Sequence, residues 1–542
     1  MEMGTSDLPS DRPRFPFKAP SEIDFDFRDL FVLDLANNHQ GSVEHGLRVI
    51  REHGAIVRRH AVRAAMKFQF RQLDTFVHPS HKKSSANKHI PRFLSTRLSD
   101  GDFARLLEEV RAQGMITACT PFDEASVDVI LRMGFDLLKI ASCSATDWPL
   151  LEHAAESGLP ILLSTGGLRM EEIDNICSFF EHRRVHYAIM HCVAIYPTPD
   201  ARFELNQIDQ LRARYPGVEI GFSTHEPPDE AAVVQMAVAK GATLFERHVG
   251  VATDDIKLNA YSSTPEQLDR WLAAWHRART ICGSGDRPEP APEETASLAS
   301  LARGVYAKRT IPAGTVLGAN DVYFAMPLEA GQLPSGQFRS GIRTSKATTR
   351  DAPMLLGDVE LPRPSVEQIF YRSVHEAKAM LNEARIPLGP SFTVEFSHHF
   401  GPERFREFGA IIVDCVNRQY CKKLVIQFPG QRHPAHYHKT KEETFQVLHG
   451  ILDIEVDGQP HRLYPGQTVL IQRGVWHRFS SPCGVIFEEV STTHVPGDSY
   501  YEHKSINNTP LERRKTKVEH WGRYQIHFQT DSNPATTADE AV

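Results

Sequence analysis

Between Phe31 and Val249, short apolar runs recur and most of them end in polar residues. They are FVLDLA (31–36), AMKFQF (65–70), MITACT (115–120), LLKIAS (137–142), PILLST (160–165), YAIMHC (187–192), VEIGFST (218–224) and LFERHV (244–249). Segments with apolar residues at helical spacing fit between them, at Phe103–Gln113, Glu124–Met133, Trp148–Ser157 and Asp229–Ala239. Strands alternating with helices imply a parallel sheet, and eight such units in about 220 residues predict a closed (β/α)8 TIM barrel. In that fold the C-terminal strand ends build the active site. Those ends carry Asp34, Asn37, Asn38, His39, Lys67, Gln69, Thr120, Lys139, Ser142, Ser164, Thr165, His191, Ser223, His225 and His248. So polar a rim predicts an enzyme.

The pattern changes on either side of this stretch. Residues 1–28, rich in Pro, Asp, Ser and Arg, read as a disordered lead-in to a barrel domain at 29–285 that closes with a helix at Pro265–Ile281. A Gly/Pro/acidic linker at 286–298 precedes a small module of short strands and tight turns at 299–361. A helix from Val366 to Ala384 then leads into Tyr/Phe/Val-rich, turn-punctuated sequence, predicting antiparallel β structure within a third domain at 362–525. The polar tail, 526–542, reads as disordered. The fold class is therefore α/β at the front and all-β at the rear.

Composition narrows the partners. A formal charge of −7 gives no electrostatic reason to expect nucleic acid, and no apolar run approaches the length that spans a bilayer. Eight scattered cysteines without a C-x-x-C pair suit free thiols in a reducing, cytoplasmic setting.

Two lysines, Lys67 and Lys139, stand near the ends of the second and fourth strands, with hydroxyls from Thr120, Ser142, Ser164 and Ser223 on neighbouring strands. Point charges ringed by hydroxyl donors suit a phosphorylated substrate. His225 and His248 end the seventh and eighth strands, adjacent in a closed barrel, where two imidazoles can share one divalent metal with positions left open.

NNHQGS (37–42), MKFQ (66–69), TPFD (120–123), LKIAS (138–142), LSTGG (163–167), MHCVAIYPTP (190–199), GFSTH (221–225) and FERH (245–248) occur in the order found in sialic acid synthases. The module containing ARGVYAKRTIPAGTVL (302–317) resembles their antifreeze-like (SAF) domain. The resemblance implies condensation of phosphoenolpyruvate with an open-chain aldose, release of phosphate, and a homodimer. By it, Lys67, Thr120, Lys139, Ser142, Ser164 and Ser223 would bind phosphoenolpyruvate. His225 and His248 would hold Mn2+, with Asp34, Gln69 and Tyr196 acting at the sugar alongside the two lysines. The departures fall on the sugar side. Asp34 stands where a Glu is usual, Ser144 replaces the family's catalytic Glu, Ala194 an Asn, and Met326 the Arg of the antifreeze-like module; DDIKLNAYS (254–262) replaces a Pro-Gly-Pro-Asp segment. An acceptor other than N-acetylmannosamine is the expectation.

The rear domain carries a second constellation. GQRHPAHYHKTKEETFQVLHG (430–450) has the spacing G-x5-H-x-H-x4-E-x6-G, and GQTVLIQRGVWH (466–477) adds G-x7-G-x2-H. Together they offer His436, His438, Glu443 and His477, with the first three expected on two adjoining strands, to a second divalent ion: Mn, Fe, Zn or Ni. This resembles a cupin barrel. VEFSHHFG (394–401), residues 408–445, FEEVSTTHVPGDSYYEH (487–503) and RRKT (513–516) are similar to cupin sugar isomerases of the D-lyxose isomerase type. Lys441, Glu442, Glu488 and Glu489 are the candidate bases for proton transfer between adjacent carbons. The reading is a two-catalyst chain whose partners are phosphoenolpyruvate and an aldose. Its alternatives are a synthase with a sugar- or metal-binding cupin that does no chemistry, and a non-catalytic carbohydrate-sensing or scaffolding protein.

Overall fold

The computed structural model describes residues 25–83, 86–285, 287–518 and 521, so the 526–542 tail and most of the 1–28 lead-in lie outside the described residues. The chain divides into two compact units, Met1–Glu289 and Pro290–Val542.

In the first unit, eight parallel strands close in sequence order. They are β1 (Leu30–Asp34), β2 (Arg63–Phe70), β3 (Ile116–Pro121), β4 (Leu137–Ile140), β5 (Ile161–Ser164), β6 (Tyr187–Cys192), β7 (Glu219–Thr224) and β8 (Leu244–His248), with β8 paired to β1. The intervening helices begin and end where local chemistry dictates. Asp123 accepts from the Ser126 N–H at 2.8 Å to start Glu124–Met133, and Gly134, at φ 70°, ends it. The last helix, Pro265–Cys282, starts on a Thr264/Gln267 capping box and lays Trp271 and Trp275 edge-on against Phe31.

Strand alternation sorts the side chains. Phe31, Leu33, Phe68, Leu138, Leu163, Ile189, Phe222 and Phe245 pack in the layer between sheet and helices. Leu30, Val32, Ala65, Ala118, Leu137, Leu162, Ala188, Met190 and Leu244 fill the barrel interior, joined by Phe27. Packing of Phe27 carries ordered chain into the stretch read as lead-in. The same parity, one or two steps further along each strand, turns Asp34, Lys67, Gln69, Thr120, Lys139, Ser164, Ser223, Glu246 and His248 towards the open end.

In the second unit, an exposed helix at Pro292–Leu301 occupies part of the stretch read as linker, with Pro at its start and Glu293 and Glu294 in its first turn. Short strand pairs, 304–307 with 322–325 and 343–344 with 359–360, enclose a small core of Val305, Ile311, Leu317, Leu333, Ile342 and Met354. The helix Val366–Glu383 packs Phe370, Val374, Ala377 and Leu381 onto Phe396, Ile411, Val413 and Ile426 of a seven-stranded antiparallel sheet. A five-stranded sheet faces it across Phe445, Val447, Leu452, Ile454, Phe479 and Phe487. This is the all-β cupin architecture. No helix among the described residues is long and apolar enough to cross a membrane.

Candidate functional site

Register builds the barrel mouth. Asp34 on β1 stands level with Lys67 on β2 and with His248 on β8. Lys67 Nζ lies 3.0 Å from Asp34 and 2.7 Å from Glu246, and Lys139 reaches the other oxygen of Glu246. Ser223 donates to the same carboxylate at 2.7 Å. The lysines are thus not free cations at the rim; two buried carboxylates answer two buried ammoniums. Burial opposes the charge on Lys67, but Asp34 and Glu246 together outweigh it and raise its pKa. Burial lowers Lys139, with Glu246 opposing and Lys67 assisting. Against its own burial, Glu246 is held far below the usual carboxylate range by Lys139 and then Lys67.

Around this network the predicted hydroxyls converge. Among the described residues those of Thr120 and Ser164 are buried without a partner, and Ser142 accepts from the Gly166 N–H at 2.9 Å. Buried hydroxyls left open are unusual enough to point to a ligand. Gln69 donates to Asp34 at 3.4 Å, and Asp34 also lies 3.3 Å from His248 Nδ1. The rings of His225 and His248 are 5.5 Å apart, and Tyr196 and Tyr261 lean over them. Burial lowers both imidazoles, His225 to about 3 with His248 as the next cause. Both are therefore neutral, the form that binds metal. The His225 Nδ1–H donates to the Val193 carbonyl at 3.0 Å, which leaves Nε2 as the ligand atom. The pair fits a divalent ion. Ser144, at the position of the family's Glu, is buried in the short turn after β4.

The cupin site is more complete. His436, His438 and His477 are buried with ligand nitrogens within 4.8 Å of one another. Each donates its Nδ1–H to a backbone carbonyl, of Pro434 at 3.1 Å, Asp498 at 2.6 Å and Val475 at 3.2 Å, so all three Nε2 atoms are free to ligate. Glu443 approaches His438 at 3.5 Å and His477 at 3.3 Å, and among the described residues its Oε2 and His477 Nε2 have no hydrogen-bond partner. These orphaned, convergent atoms fit a metal ion. One expectation is corrected: His436 and Glu443 do not stand on adjoining strands. Strand 432–437 belongs to the five-stranded sheet and strand 443–450 to the seven-stranded one, and His477 sits directly across from His436. The ligand set therefore spans the two sheets.

Burial, reinforced by Glu489 and opposed by Lys441, pushes the Glu443 carboxyl up to about 8. Metal must displace that proton, so metal affinity should rise with pH up to about 8 and then level off. Calorimetry in buffers of different ionisation enthalpy should show a proton released on binding at pH 7; a pH-independent affinity would mean that Glu443 is not a ligand.

A sequence model of the NeuB family matches residues 58–287, and one of the cupin domain matches 424–484. The chain is 30% identical over 292 residues to an uncharacterized protein of Methanocaldococcus jannaschii, covering 54% of this chain and 82% of that one. The chain belongs to the NeuB family. It is also 27% identical over 316 residues to the N,N'-diacetyllegionaminic acid synthase of Legionella pneumophila, covering 55% of this chain and 85% of that one. Among solved structures, the spore coat polysaccharide biosynthesis protein E of Chromobacterium violaceum is 45% identical with a TM-score of 0.60, covering 61% of this chain and all of that one.

At the mouth of the NeuB-family barrel stands a charged group that the sequence pattern does not single out. Glu246 lies inside the quoted FERH motif, yet only its histidine was singled out. The signal was parity: on β8, residues 244, 246 and 248 share the inward face, while Arg247 faces outward to pair with Glu226 at 2.7 Å. In the cupin, His399 and His433 were likewise missed; their Nε2 atoms are 3.2 Å apart, and His433 is next to His436. The four candidate bases separate clearly. Lys441 and Glu489 are buried beside Glu443, 2.9 Å from each other, whereas Glu442 is exposed and Glu488 pairs with Lys422.

Proposed function

We propose that the barrel condenses phosphoenolpyruvate with an open-chain aldose and one water, carbon 3 of the enol bonding to the aldehyde carbon while water adds at carbon 2 and phosphate leaves, to form a 3-deoxy-2-ulosonic acid, and that the cupin interconverts a ketose with that aldose. The observation that carries the synthase reading is the convergence at one mouth of Lys67, Lys139, two unpartnered hydroxyls and a pair of neutral histidines. The name of the Legionella pneumophila relative, a synthase, agrees with it. In this reading Lys67, Lys139, Thr120, Ser142, Ser164 and Ser223 bind phosphoenolpyruvate, and Glu246 fixes where the ammoniums sit. His225 and His248 would hold the barrel ion, Mn2+ by the resemblance, and His436, His438, Glu443 and His477 the cupin ion. When bound, such ions supply Lewis acidity, at the aldehyde oxygen in the barrel and at adjacent sugar oxygens in the cupin.

The remaining work belongs to side chains. Gln69 and Tyr196 orient the aldose. With Ser144 lacking a carboxylate, Asp34, touching Lys67, Gln69 and His248, is the acid–base group nearest the reacting carbonyl. In the cupin, Glu489 is held ionised by Lys441 and Lys423 against its burial, placing a carboxylate beside the ligand cluster to take a proton from one carbon and return it to the next. The module at 299–361 is read as antifreeze-like and the chain as a homodimer on the same resemblance, and a cytoplasmic setting on the scattered, unpaired cysteines.

The test is consumption of phosphoenolpyruvate with Mn2+ across aldoses, their ketose isomers and N-acetylated hexosamines. The expected result is turnover with one aldose and with its ketose, and none above background with N-acetylmannosamine. Turnover with the aldose alone would leave the cupin a binding module. No turnover with any sugar would reject the synthase reading.

A further inference from the structure

Arg71 follows β2 directly, and its guanidinium lies between two aromatic faces, 4.0 Å from the ring centre of Phe93 and 3.5 Å from that of Phe122. Nη2 donates to Gln69 Oε1 at 3.1 Å; among the described residues Nε is buried with no partner, and no carboxylate lies within ion-pair distance. A guanidinium has five donors and remains charged, so removing it from water without an anion is costly. Burial pulls it down to about 10, and the opposing influences of Cys143, Asp34, Cys119 and Asp123 offset only part of that. Around the barrel the buried cations are matched: Lys67 and Lys139 by Asp34 and Glu246, and Arg247 by Glu226. Arg71, half-buried with an enclosed Nε, has no such partner among the described residues.

It also lines a cavity of about 530 Å³, together with Asn37, His39, Gln69, Thr96 and Arg97. Arg97 is engaged by Asp74, and one exposed acid, Asp100, stands at the cavity's rim. Contacts of 3.1, 3.4 and 3.3 Å lead from Arg71 through Gln69 and Asp34 to His248. Gln69 is thus shared between the wall of this cavity and the contacts that reach Asp34 and His248 at the mouth.

We propose that the acceptor aldose carries an anionic group, a phosphate ester or a carboxylate, at the end remote from its aldehyde, and that Arg71 receives it. This rests on the synthase reading above. The planar fork, pre-oriented by Phe93 and Phe122, matches two oxygens of either group. An extended sugar laid along the Arg71–Gln69–Asp34–His248 line presents its aldehyde to the histidines and its far end to the guanidinium. Arg71 is thus a specificity-determining residue, touching substrate away from the reacting carbon.

The test measures phosphoenolpyruvate consumption by the full chain with four- to six-carbon aldoses. Each is supplied as the neutral sugar, its terminal phosphate ester and its terminal carboxylic acid. The expected result is that one anionic series is used with a KM on the order of 30-fold below that of its neutral counterpart. Arg71→Ala should remove that gap by raising KM for the anionic sugar, with kcat and the KM for phosphoenolpyruvate within a few-fold of the parent. Whichever series is preferred identifies the anion. Should Arg71→Ala fold poorly by thermal melting, Arg71→Lys, which keeps the charge and loses the fork, should show a smaller gap of the same sign. Equal use of neutral and anionic aldoses, or an Arg71→Ala effect the same for both, overturns the proposal while leaving the synthase reading intact. Consumption with no aldose at all would reject the synthase reading, and this proposal with it.

Discussion

Glu246→Gln should destabilise the barrel by about 3–5 kcal/mol, lowering its melting temperature by on the order of 10 °C, and reduce turnover of phosphoenolpyruvate by at least about 100-fold. Glu246 is buried, and each of its oxygens meets an ammonium, Lys67 at 2.7 Å on one side and Lys139 on the other. A neutral amide of the same shape leaves Lys67 with Asp34 alone and Lys139 with no carboxylate. An unpaired buried ammonium either keeps its charge in a low-dielectric site or gives up its proton, and both outcomes cost free energy. The double variant Glu246→Gln/Lys139→Met separates stability from chemistry. Removing both partners of a buried pair costs less than removing one, so part of the melting temperature should return while activity stays lost. If Glu246→Gln melted with the parent and kept its turnover, the lysines would be positioned by something else.

His436→Ala should reduce bound metal from two ions per chain to one. It should also suppress turnover of phosphoenolpyruvate with a ketose by on the order of 1,000-fold, while leaving turnover with the matching aldose unchanged. The ligand set closes around His436, which faces His477 across the strand pair and shares its metal-facing side with His438 and Glu443. The two sites lie in separate compact units, so loss of one should not couple strongly to the other. Metal analysis and the two assays on one preparation decide it. Ketose turnover that survives loss of the cupin ion would mean that the isomerisation, if it occurs, happens elsewhere.

Much of the barrel was legible because its signals are local. Apolar runs of strand length, separated by helical periodicity, located all eight strands to within a few residues. Helix Glu124–Met133 was read to its ends because Asp123 and Gly134 are themselves the stop signals. The cupin's candidate ligands were legible for a different reason: H-x-H-x4-E is a spacing that places three ligating side chains within one segment. Glu246 and Arg71 were not, because charged residues on strands and loops are common and nothing beside them in sequence tells a buried one from a solvated one. Glu246 becomes a shared counter-ion only when β2 and β4 bring Lys67 and Lys139 to it across the barrel. Arg71 becomes an unmatched cation only when Phe93 and Phe122, from different segments, enclose it and no acid arrives.

The sequence alone determined the barrel followed by β domains, the strand ends that would carry chemistry, and the identity of the metal-ligand candidates. Periodicity, capping and spacing are properties of neighbouring residues, and these sufficed. Only the tertiary structure decided how charge is distributed among those groups. It showed that both mouth lysines are already paired, that the cupin ligands span two sheets, and that Lys441 and Glu489 rather than Glu442 and Glu488 face the site. Charge pairing and burial depend on side chains far apart in the chain. Their energies are set by distances of a few ångströms and by exclusion of water, which no local pattern encodes.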